Sequence, residues 1–321
     1  MIWNIILLII GMVLMIKGAD EFVEGASTLA KKLRIPSLVI GLTLVSIGTS
    51  MPEMSVSITA SIKGNNDISF GNIIGSNIFN TFFVIGSASI FTPLLIDKNM
   101  KKFDLPILML IYGVLALFSF VITPEVIQTW EAIIIFSLTF IYTAFLIFRS
   151  RKEIKEERVD LNELAEIKTS SNLFLLLCGL AGVVGGGTLV VDNAAIIAKA
   201  LGMSELLVGL TVVAIGTSLP ELVTSIVAAK KGENDIAVGN AIGSCLFNVV
   251  LILGLSATIV PMNVDMISLI DIAVMFASAV IIFIMSFGKG QVNKWKGISL
   301  LIIYVVYFVY IILRDYCILT L

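Results

Sequence analysis

Long apolar runs, separated by short polar or turn-rich breaks, dominate the hydropathy pattern of this 321-residue chain. A membrane-spanning helix needs about 20 apolar residues to cross about 30 Å of hydrocarbon. Ten runs meet this requirement, and they begin near Trp3, Pro36, Ile68, Leu105, Trp130, Asn172, Glu205, Ile236, Ser268 and Gly297. The pattern predicts an all-α polytopic membrane protein with ten transmembrane helices.

Two stretches of the chain, residues 41–80 and 209–248, have nearly the same sequence. They align without a gap at an offset of 168 positions, and 25 of the 40 aligned residues are identical. The offset spans five predicted helices, an odd number, so the second copy enters the membrane from the opposite face. We therefore expect two inverted five-helix repeats, residues 1–148 and 172–321, an arrangement common in secondary transporters.

Composition and charge agree with this interpretation and add an orientation. Hydrophobic residues make up 58% of the chain, and the mean hydropathy is +1.06. Of the 21 Lys and Arg, all but Lys17, Lys63, Lys199 and Arg314 fall in loops on one side of the predicted membrane. The positive-inside rule makes that side cytoplasmic and leaves both termini of this multi-pass cell-membrane protein outside. The charged segment 149–171 is then a solvated cytoplasmic linker.

Several kinds of chemistry are excluded by what the sequence lacks. The chain has no histidine, and its three cysteines are scattered without metal-ligand spacing. Imidazole metal sites and histidine-based catalysis are therefore absent, and ten spans leave no room for a soluble catalytic domain. We expect a protein that is not an enzyme and that lies in the lipid bilayer. We expect no cofactor, no nucleic-acid partner and no obligate protein partner.

Each repeat contains a GTS-x-PE motif inside an apolar run, and the motif brings Glu53 or Glu221 into a predicted span. A carboxylate in a span costs about 3 kcal/mol on insertion scales, so both glutamates are candidates for function. Pro52 and Pro220 lack an N–H and loosen the carbonyl four residues earlier. The motif hydroxyls three and four residues before each glutamate share its helical face; they belong to Thr49, Ser50, Thr217 and Ser218.

A second motif, GN-x-x-GS, follows in each repeat and adds further oxygen atoms. Ser76 and Asn80 form one polar stripe, and Ser244 and Asn248 form the other. If all four polar stripes converge, they make a pocket of hydroxyl, amide, carbonyl and carboxylate oxygens, which are the ligands that Ca²⁺ and other hard cations prefer. Two carboxylates give a charge of −2, which one Ca²⁺ or two Na⁺ neutralise, while a third Na⁺ is possible at added cost.

Other polar residues of the repeats are expected to have structural roles. Asn72 and Asn240 are predicted to be hydrogen-bond partners between helices rather than ion ligands. Asp67 and Asp235 follow Gly and Asn residues, and we expect both in solvated turns.

The paired motifs resemble the alpha repeats of the cation/calcium exchanger superfamily, specifically prokaryotic-type sodium/calcium exchangers, over essentially the whole chain. The resemblance implies Na⁺-driven Ca²⁺ transport by alternating access, three Na⁺ for one Ca²⁺, with the first and sixth helices sliding over a fixed core. It implies that Glu53 and Glu221 bind both ions and that Thr49 and Thr217 give carbonyls to Ca²⁺. It also implies Na⁺ sites and a central face formed by Ser50, Ser76, Ser218, Ser244, the carbonyls of Ser46 and Ala214, and the amides of Asn80 and Asn248.

Two alternatives stay open at this point. The sequences of potassium-dependent exchangers resemble a pattern that has aspartate at the position of Asn248. Proton/calcium exchangers have a GN-x-x-E-type motif instead of GTS-x-PE. Both differences favour Na⁺ as the driving ion. A passive cation channel with the two glutamates as its filter is a further alternative. The inverted repeat argues against it, because most channels have rotational symmetry about the pore.

Overall fold

The structure is a computed structural model that describes residues 1–154, 169–202, 214–264, 268–287 and 290–319. In chain order the helices are α1 (Ile2–Leu33), α2 (Ser37–Thr49), α3 (Met51–Ile62), α4 (66–91), α5 (Met100–Ile122), α6 (Thr129–Ile154), α7 (Thr169–Ala200), α8 (Ala214–Thr217), α9 (Leu219–Lys230), α10 (Asn234–Ile259), α11 (Ser268–Met285) and α12 (Lys294–Leu319). Four two-residue strands lie in the connections: β1 (Leu94–Leu95), β2 (Val126–Ile127), β3 (Met262–Asn263) and β4 (Gln291–Val292).

Eight helices in the described part of the chain are long and apolar enough to cross a membrane, and the bent pair α2–α3 counts as a ninth span. These helices confirm the all-α polytopic fold and begin close to the residues that the hydropathy pattern predicts. The remaining predicted span starts near Glu205, inside residues 203–213, which lie outside the described residues. Helices α8 and α9 are the described remainder of that span.

Both GTS-x-PE motifs interrupt a helix. Ser50 lies between α2 and α3 with φ −82° and ψ 10°, and the two helices are bent by 50°. Ser218 lies between α8 and α9 with φ −92° and ψ 5°. In each case a proline occupies the second residue of the following helix, where its missing N–H costs nothing because no carbonyl of that helix needs it. The motif therefore ends one helix and starts another at the depth of the glutamate.

The two halves are joined by two small antiparallel sheets, each with one strand from either half. Strand β1 pairs with β4, where Leu94 faces Val292. Strand β2 pairs with β3, where Val126 faces Asn263. This exchange of strands relates the halves by an approximate two-fold, as expected for an inverted repeat.

Helices α4 and α10 form the centre of the molecule. Within the apolar stretch of each helix, 78% of the residues are buried in α4 and 94% in α10, whereas 22% are buried in α1 and 17% in α12. The central helices are therefore the two that contain the GN-x-x-GS motifs, and the outer ones present apolar side chains to lipid. Each central helix includes one segment of wider π-helical winding, Phe79–Val84 in α4 and Asn248–Leu253 in α10.

The long helices α1 and α7 cross with their backbones in contact. A Cβ atom on Gly18 would lie 2.7 Å from the carbonyl oxygen of Gly179, and one on Gly179 would lie 2.8 Å from that of Gly18. Gly11 and Gly186 meet in the same way further along, at 2.8 and 2.6 Å. Only glycine fits at such a crossing, so α1 and α7 pack as one pair.

Three sequence-based expectations need correction. Asp67 and Asp235 do not lie in loops; they belong to the first helical turns of α4 and α10. The preceding loop contains a glycine with positive φ, Gly64 or Gly232, and the helix begins two residues after it. Arg149 is not solvated, since α6 continues to Ile154 and buries this side chain. The central part of the 149–171 linker, residues 155–168, lies outside the described residues, so the linker stays a prediction.

Candidate functional site

Glu53 and Glu221 lie fully buried at the centre, and each accepts a hydrogen bond from the opposite half. The Ser50 hydroxyl donates to Oε1 of Glu221 at 2.7 Å, and the Ser218 hydroxyl donates to Oε1 of Glu53 at 2.8 Å. Since each serine lies in the break next to the other half's glutamate, the two broken helices cross at this point. The structure thus brings both carboxylates into one cluster.

The serines of the central helices complete this arrangement. Ser76 donates to Oε1 of Glu53 at 3.5 Å, and Ser244 donates to Oε1 of Glu221 at 3.3 Å. The Ser218 and Ser76 hydroxyls are themselves 3.0 Å apart. The predicted polar stripes of α4 and α10 therefore converge on the same two carboxylates as the GTS-x-PE motifs.

The threonine hydroxyls of the motifs bond to asparagines of the opposite half. Thr49 donates to Oδ1 of Asn240 at 2.9 Å, and Thr217 donates to Oδ1 of Asn72 at 3.3 Å. The Asn72 amide in turn donates to Ser57 at 3.0 Å. These contacts confirm Asn72 and Asn240 as links between helices, and they fix the direction in which each threonine hydroxyl donates its hydrogen.

Ser46 takes part through its backbone. Its hydroxyl donates to the Leu42 carbonyl, 2.9 Å away in its own helix, whereas its carbonyl accepts the Ser244 hydroxyl at 3.4 Å. Its repeat mate Ala214 begins α8. The change from serine to alanine between the repeats removes a hydroxyl that bonds within its own helix and keeps a backbone carbonyl at this position.

Several oxygen atoms at the centre are buried with no hydrogen-bond partner in the described part of the chain. They are Oε2 of Glu53, Oε2 of Glu221, Oδ1 of Asn80 and Oδ1 of Asn248. A buried polar atom without a partner costs about 1–3 kcal/mol, and more when it is charged. Atoms of this kind, all acceptors, are what a dehydrated hard cation would bind.

The described side chains of this cluster are shielded from solvent. Ser46, Thr49, Glu53, Asn80, Ser218, Glu221, Ser244 and Asn248 have no exposed surface, and Ser50, Ser76 and Thr217 have 6% or less. The two carboxylates and the oxygen atoms around them are therefore out of contact with bulk water.

Sequence reasoning missed two further polar features. Asn77 bonds to Asn248 inside the core, and its only signal was a position where the repeats differ, Asn77 against Cys245. A buried ion pair also joins Asp104 of α5 to Arg149 of α6 at 2.9 Å. A matching pair, Asp271 and Arg314, joins α11 to α12 at 3.0 Å.

The signal for these ion pairs was present in the sequence. Tyr142 lies seven residues before Arg149, and Tyr307 lies seven residues before Arg314; both tyrosines donate to the aspartate of their own ion pair at 3.0 Å. A Tyr-x₆-Arg spacing repeated in both halves marks the arginines as members of a helix face rather than of a solvated loop.

Comparison with known proteins agrees with the motifs and the fold. A family model described as sodium/calcium exchanger protein matches residues 3–148 and 171–313. The chain is 36% identical to inner membrane protein YrbG of Escherichia coli (strain K12), over 92% of each chain. It is 33% identical to sodium/calcium exchanger MaX1 of Methanosarcina acetivorans, over 95% of this chain and 97% of the relative.

Solved structures extend the agreement to three dimensions. The sodium-calcium exchanger NCX_Mj soaked with 10 mM Na⁺ and zero Ca²⁺ superposes with a TM-score of 0.83 at 30% identity, covering 95% of this chain and 97% of that one. The same exchanger soaked with zero Na⁺ and Ca²⁺ gives a TM-score of 0.83 at 29% identity. This chain belongs to the sodium/calcium exchanger family.

Proposed function

We propose that this member of the sodium/calcium exchanger family moves Ca²⁺ and Na⁺ in opposite directions through one central site. The observation that supports this most strongly is the reciprocal pair of bonds, Ser50 to Glu221 and Ser218 to Glu53. Each bond uses Oε1 of a carboxylate and leaves Oε2 buried without a partner in the described residues. Two carboxylates held in this way, one from each half, bind cations only when the halves meet.

Charge decides which ions the site can exchange. With Glu53 and Glu221 ionised, the pocket has a charge of −2, which one Ca²⁺ balances or two Na⁺ balance. Burying an uncompensated charge is costly, so the protein switches access from one side of the membrane to the other when the site is loaded and not when it is empty. This asymmetry obliges the two fluxes to be coupled, which is the property that separates an exchanger from a channel.

The ligand assignment is the one that the family resemblance implies, and the convergence of the serine hydroxyls on both carboxylates supports it. Glu53 and Glu221 bind either ion, and the carbonyls of Thr49 and Thr217 complete the Ca²⁺ position. The Na⁺ positions draw on the hydroxyls of Ser50, Ser76, Ser218 and Ser244 and the carbonyls of Ser46 and Ala214. Asn80 and Asn248 face the centre of the site. The family resemblance implies three Na⁺ for one Ca²⁺, with the third Na⁺ bound beyond charge balance at added cost, so each cycle would move one net charge.

Access alternates through the pair α1–α7. These helices contact each other at glycine crossings, and their side chains Phe22, Leu180 and Val191 pack against Gly48 and Gly216 of the broken helices, so we expect the pair to move together over them. The two five-helix units, 1–148 and 172–321, supply the whole site between them, so one chain suffices without a protein partner. Both termini face outward, and the 149–171 linker faces the cytoplasm.

The test is ⁴⁵Ca²⁺ uptake into proteoliposomes loaded with Na⁺, with K⁺ absent and equal pH on both sides. We expect uptake that requires internal Na⁺ and accelerates when outward diffusion of a permeant anion such as thiocyanate makes the interior positive, because three Na⁺ leave for each Ca²⁺ that enters. Each net charge is worth about 2.3 kcal/mol per 100 mV.

Each alternative has a distinct outcome in the same assay. Uptake that waits for a proton gradient or for added K⁺ would move the protein to a proton- or potassium-coupled exchanger. Uptake that needs no counter-ion would mean a channel. Uptake that ignores the membrane potential would contradict the three-to-one ratio and leave exchange itself intact.

A further inference from the structure

A chain of buried hydrogen bonds connects Asn77 to the central site. Asn77 follows Ser76 on α4, has no exposed surface, and lies opposite α10. Its amide nitrogen donates to the backbone carbonyl of Cys245 at 3.2 Å and contacts the sulfur of Met275 at 3.6 Å. Its Oδ1 accepts the amide nitrogen of Asn248 at 3.0 Å.

These contacts fix which way both amides face. A backbone carbonyl can only accept, so it must meet the nitrogen of Asn77 rather than the oxygen. Oδ1 of Asn77 is then turned to α10 and requires a donor, which the nitrogen of Asn248 supplies. Oδ1 of Asn248 is then the amide atom left for an ion, since it is buried and has no hydrogen-bond partner in the described residues.

The opposite half lacks this arrangement. The residue 168 positions after Asn77 is Cys245, whose thiol makes weak contacts at 3.5 Å with the Asn77 carbonyl and the Thr81 hydroxyl. Neither amide atom of Asn80, the repeat mate of Asn248, has a hydrogen-bond partner among the described residues. One central asparagine is therefore held by its neighbour and the other is not.

We propose that Asn77 is a positioning residue that holds the Asn248 amide with its oxygen toward the cation and so favours Ca²⁺ over Na⁺. An amide oxygen attracts a cation and an amide N–H₂ group repels it. The ion–dipole energy scales with the charge of the ion, so a divalent ion gains about twice as much from the fixed orientation. The proposal rests on the central site proposed above.

The test compares Asn77→Ala with a matched control, Thr81→Val, in proteoliposomes containing the full chain. Thr81 lies in the same buried cluster and donates to the Asn77 carbonyl at 2.8 Å, whereas the amide of Asn248 bonds to the Asn77 side chain. Asn77→Ala should raise the KM for Ca²⁺ about tenfold, the effect of about one lost hydrogen bond. The half-saturating Na⁺ concentration should change less and kcat by less than about twofold, and Thr81→Val should leave all three unchanged.

A double-mutant cycle separates positioning from general damage to the core. If Asn77 acts through Asn248, then Asn77→Ala should add nothing to the KM for Ca²⁺ in an Asn248→Ala background. An equal shift in both backgrounds, an unchanged KM in the single variant, or a parallel loss for Na⁺ and Ca²⁺ would overturn the proposal. Na⁺-dependent uptake by the wild type tests the proposed function separately.

A gain-of-contact variant keeps the proposal testable if Asn77→Ala does not fold. Cys245→Asn makes the two repeats identical at this position and places an amide between the Asn77 carbonyl and Asn80. These contacts are the two-fold equivalents of those that Asn77 makes with the Cys245 carbonyl and Asn248. It should hold Oδ1 of Asn80 toward the site and lower the KM for Ca²⁺. An unchanged or higher KM in this variant would contradict the positioning role.

Discussion

In Glu53 and in Glu221, one carboxylate oxygen accepts hydrogen bonds from serines and the other has no hydrogen-bond partner among the described residues. Glu53→Gln or Glu221→Gln keeps the shape of the site but leaves one charge to balance a divalent ion. Removing a buried charge partner costs about 3 kcal/mol or more, so we expect Ca²⁺ uptake to fall at least about 100-fold.

Glu131→Gln is the matched control for this prediction. Glu131 is also fully buried, but its Oε2 accepts the Thr123 hydroxyl at 2.6 Å and the backbone N–H of Gln128 at 2.8 Å at the start of α6. A glutamine oxygen can accept in the same way, so uptake should persist. Near-normal Ca²⁺ uptake in both site variants would sink the assignment of Glu53 and Glu221.

Asn248→Asp tests the charge of the pocket from the other direction. A third carboxylate gives the pocket a charge of −3, which one Ca²⁺ no longer neutralises. The substitution also replaces the amide nitrogen that donates a hydrogen bond to Oδ1 of Asn77 with an oxygen. We expect the cation dependence of uptake to change, with an added monovalent ion such as K⁺ restoring the balance. Measuring ⁴⁵Ca²⁺ uptake with and without K⁺ checks this; an identical ion dependence would argue against a central position for Asn248.

The sequence predicted some residues well and others not, for physical reasons. An ionisable residue in an apolar run is conspicuous, so the repeat and the hydropathy pattern singled out Glu53 and Glu221, and the structure shows both buried in one cluster. Asn77 was missed because an uncharged amide next to a serine looks like any packing residue, and its role depends on Cys245 and Asn248 of the other half. Arg149 was misjudged because a charge at the end of a span looks solvated until its partner, Asp104, is known.

At the scale of helices, α1 is tied to the turn between α9 and α10 by several polar contacts. The Ser27 hydroxyl donates to Glu233 at 2.6 Å. Lys231 forms ion pairs with Asp20 at 3.0 Å and Glu24 at 3.4 Å. These contacts line a cavity of about 300 Å³. If α1 slides during transport, they must break in every cycle.

The variant Ser27→Ala with Lys231→Ala should therefore favour the state in which α1 has moved. The lost contacts amount to about 1–2 kcal/mol, because the ion pairs are largely exposed. We expect a thiol reagent to modify Thr28→Cys about tenfold faster, with Cys178 and Cys317 changed to serine. Lys63→Ala, at the repeat mate of Lys231, is the control, and an unchanged labelling rate in the double variant would contradict a role in closure.

The ion pairs of α5–α6 and α11–α12 offer a stability prediction within one molecule. Arg149 and Asp104 have 8% and 0% of their side chains exposed, against 19% and 15% for Arg314 and Asp271. Loss of a buried partner costs about 3–5 kcal/mol, and loss of a hydrated one costs less. Asp104→Ala should lower the thermal unfolding temperature in detergent more than Asp271→Ala does. The reverse order would contradict the burial argument.

The elements themselves were largely predictable. Apolar runs gave the helix positions, and the proline of each motif gave the breaks between α2 and α3 and between α8 and α9. What the sequence could not give was the start of α4 and α10 inside turn-like segments, since Asp67 and Asp235 suit both a loop and a first helical turn. The small sheets were also missed, because two-residue strands leave no periodic signal.

For the whole molecule, the repeat is the feature that turns a pair of half-sites into one site. The offset of 168 residues predicted the inverted halves, and the fold bears this out through the exchange of β1 with β4 and β2 with β3. The family resemblance seen in the motifs is confirmed by the family match over both halves. The differences between the repeats, such as Asn77 against Cys245, mark where the two half-sites need not act alike.

The central claim is that both ions compete for one site formed by Glu53 and Glu221. It is tested most directly by measuring ⁴⁵Ca²⁺ bound to the purified chain in detergent while Na⁺ is added and choline keeps the ionic strength constant. We predict that Na⁺ displaces all bound Ca²⁺ with a Hill coefficient above 1, and that Glu53→Gln binds none. Ca²⁺ that stays bound at saturating Na⁺, or that binds normally to Glu53→Gln, would contradict the shared site.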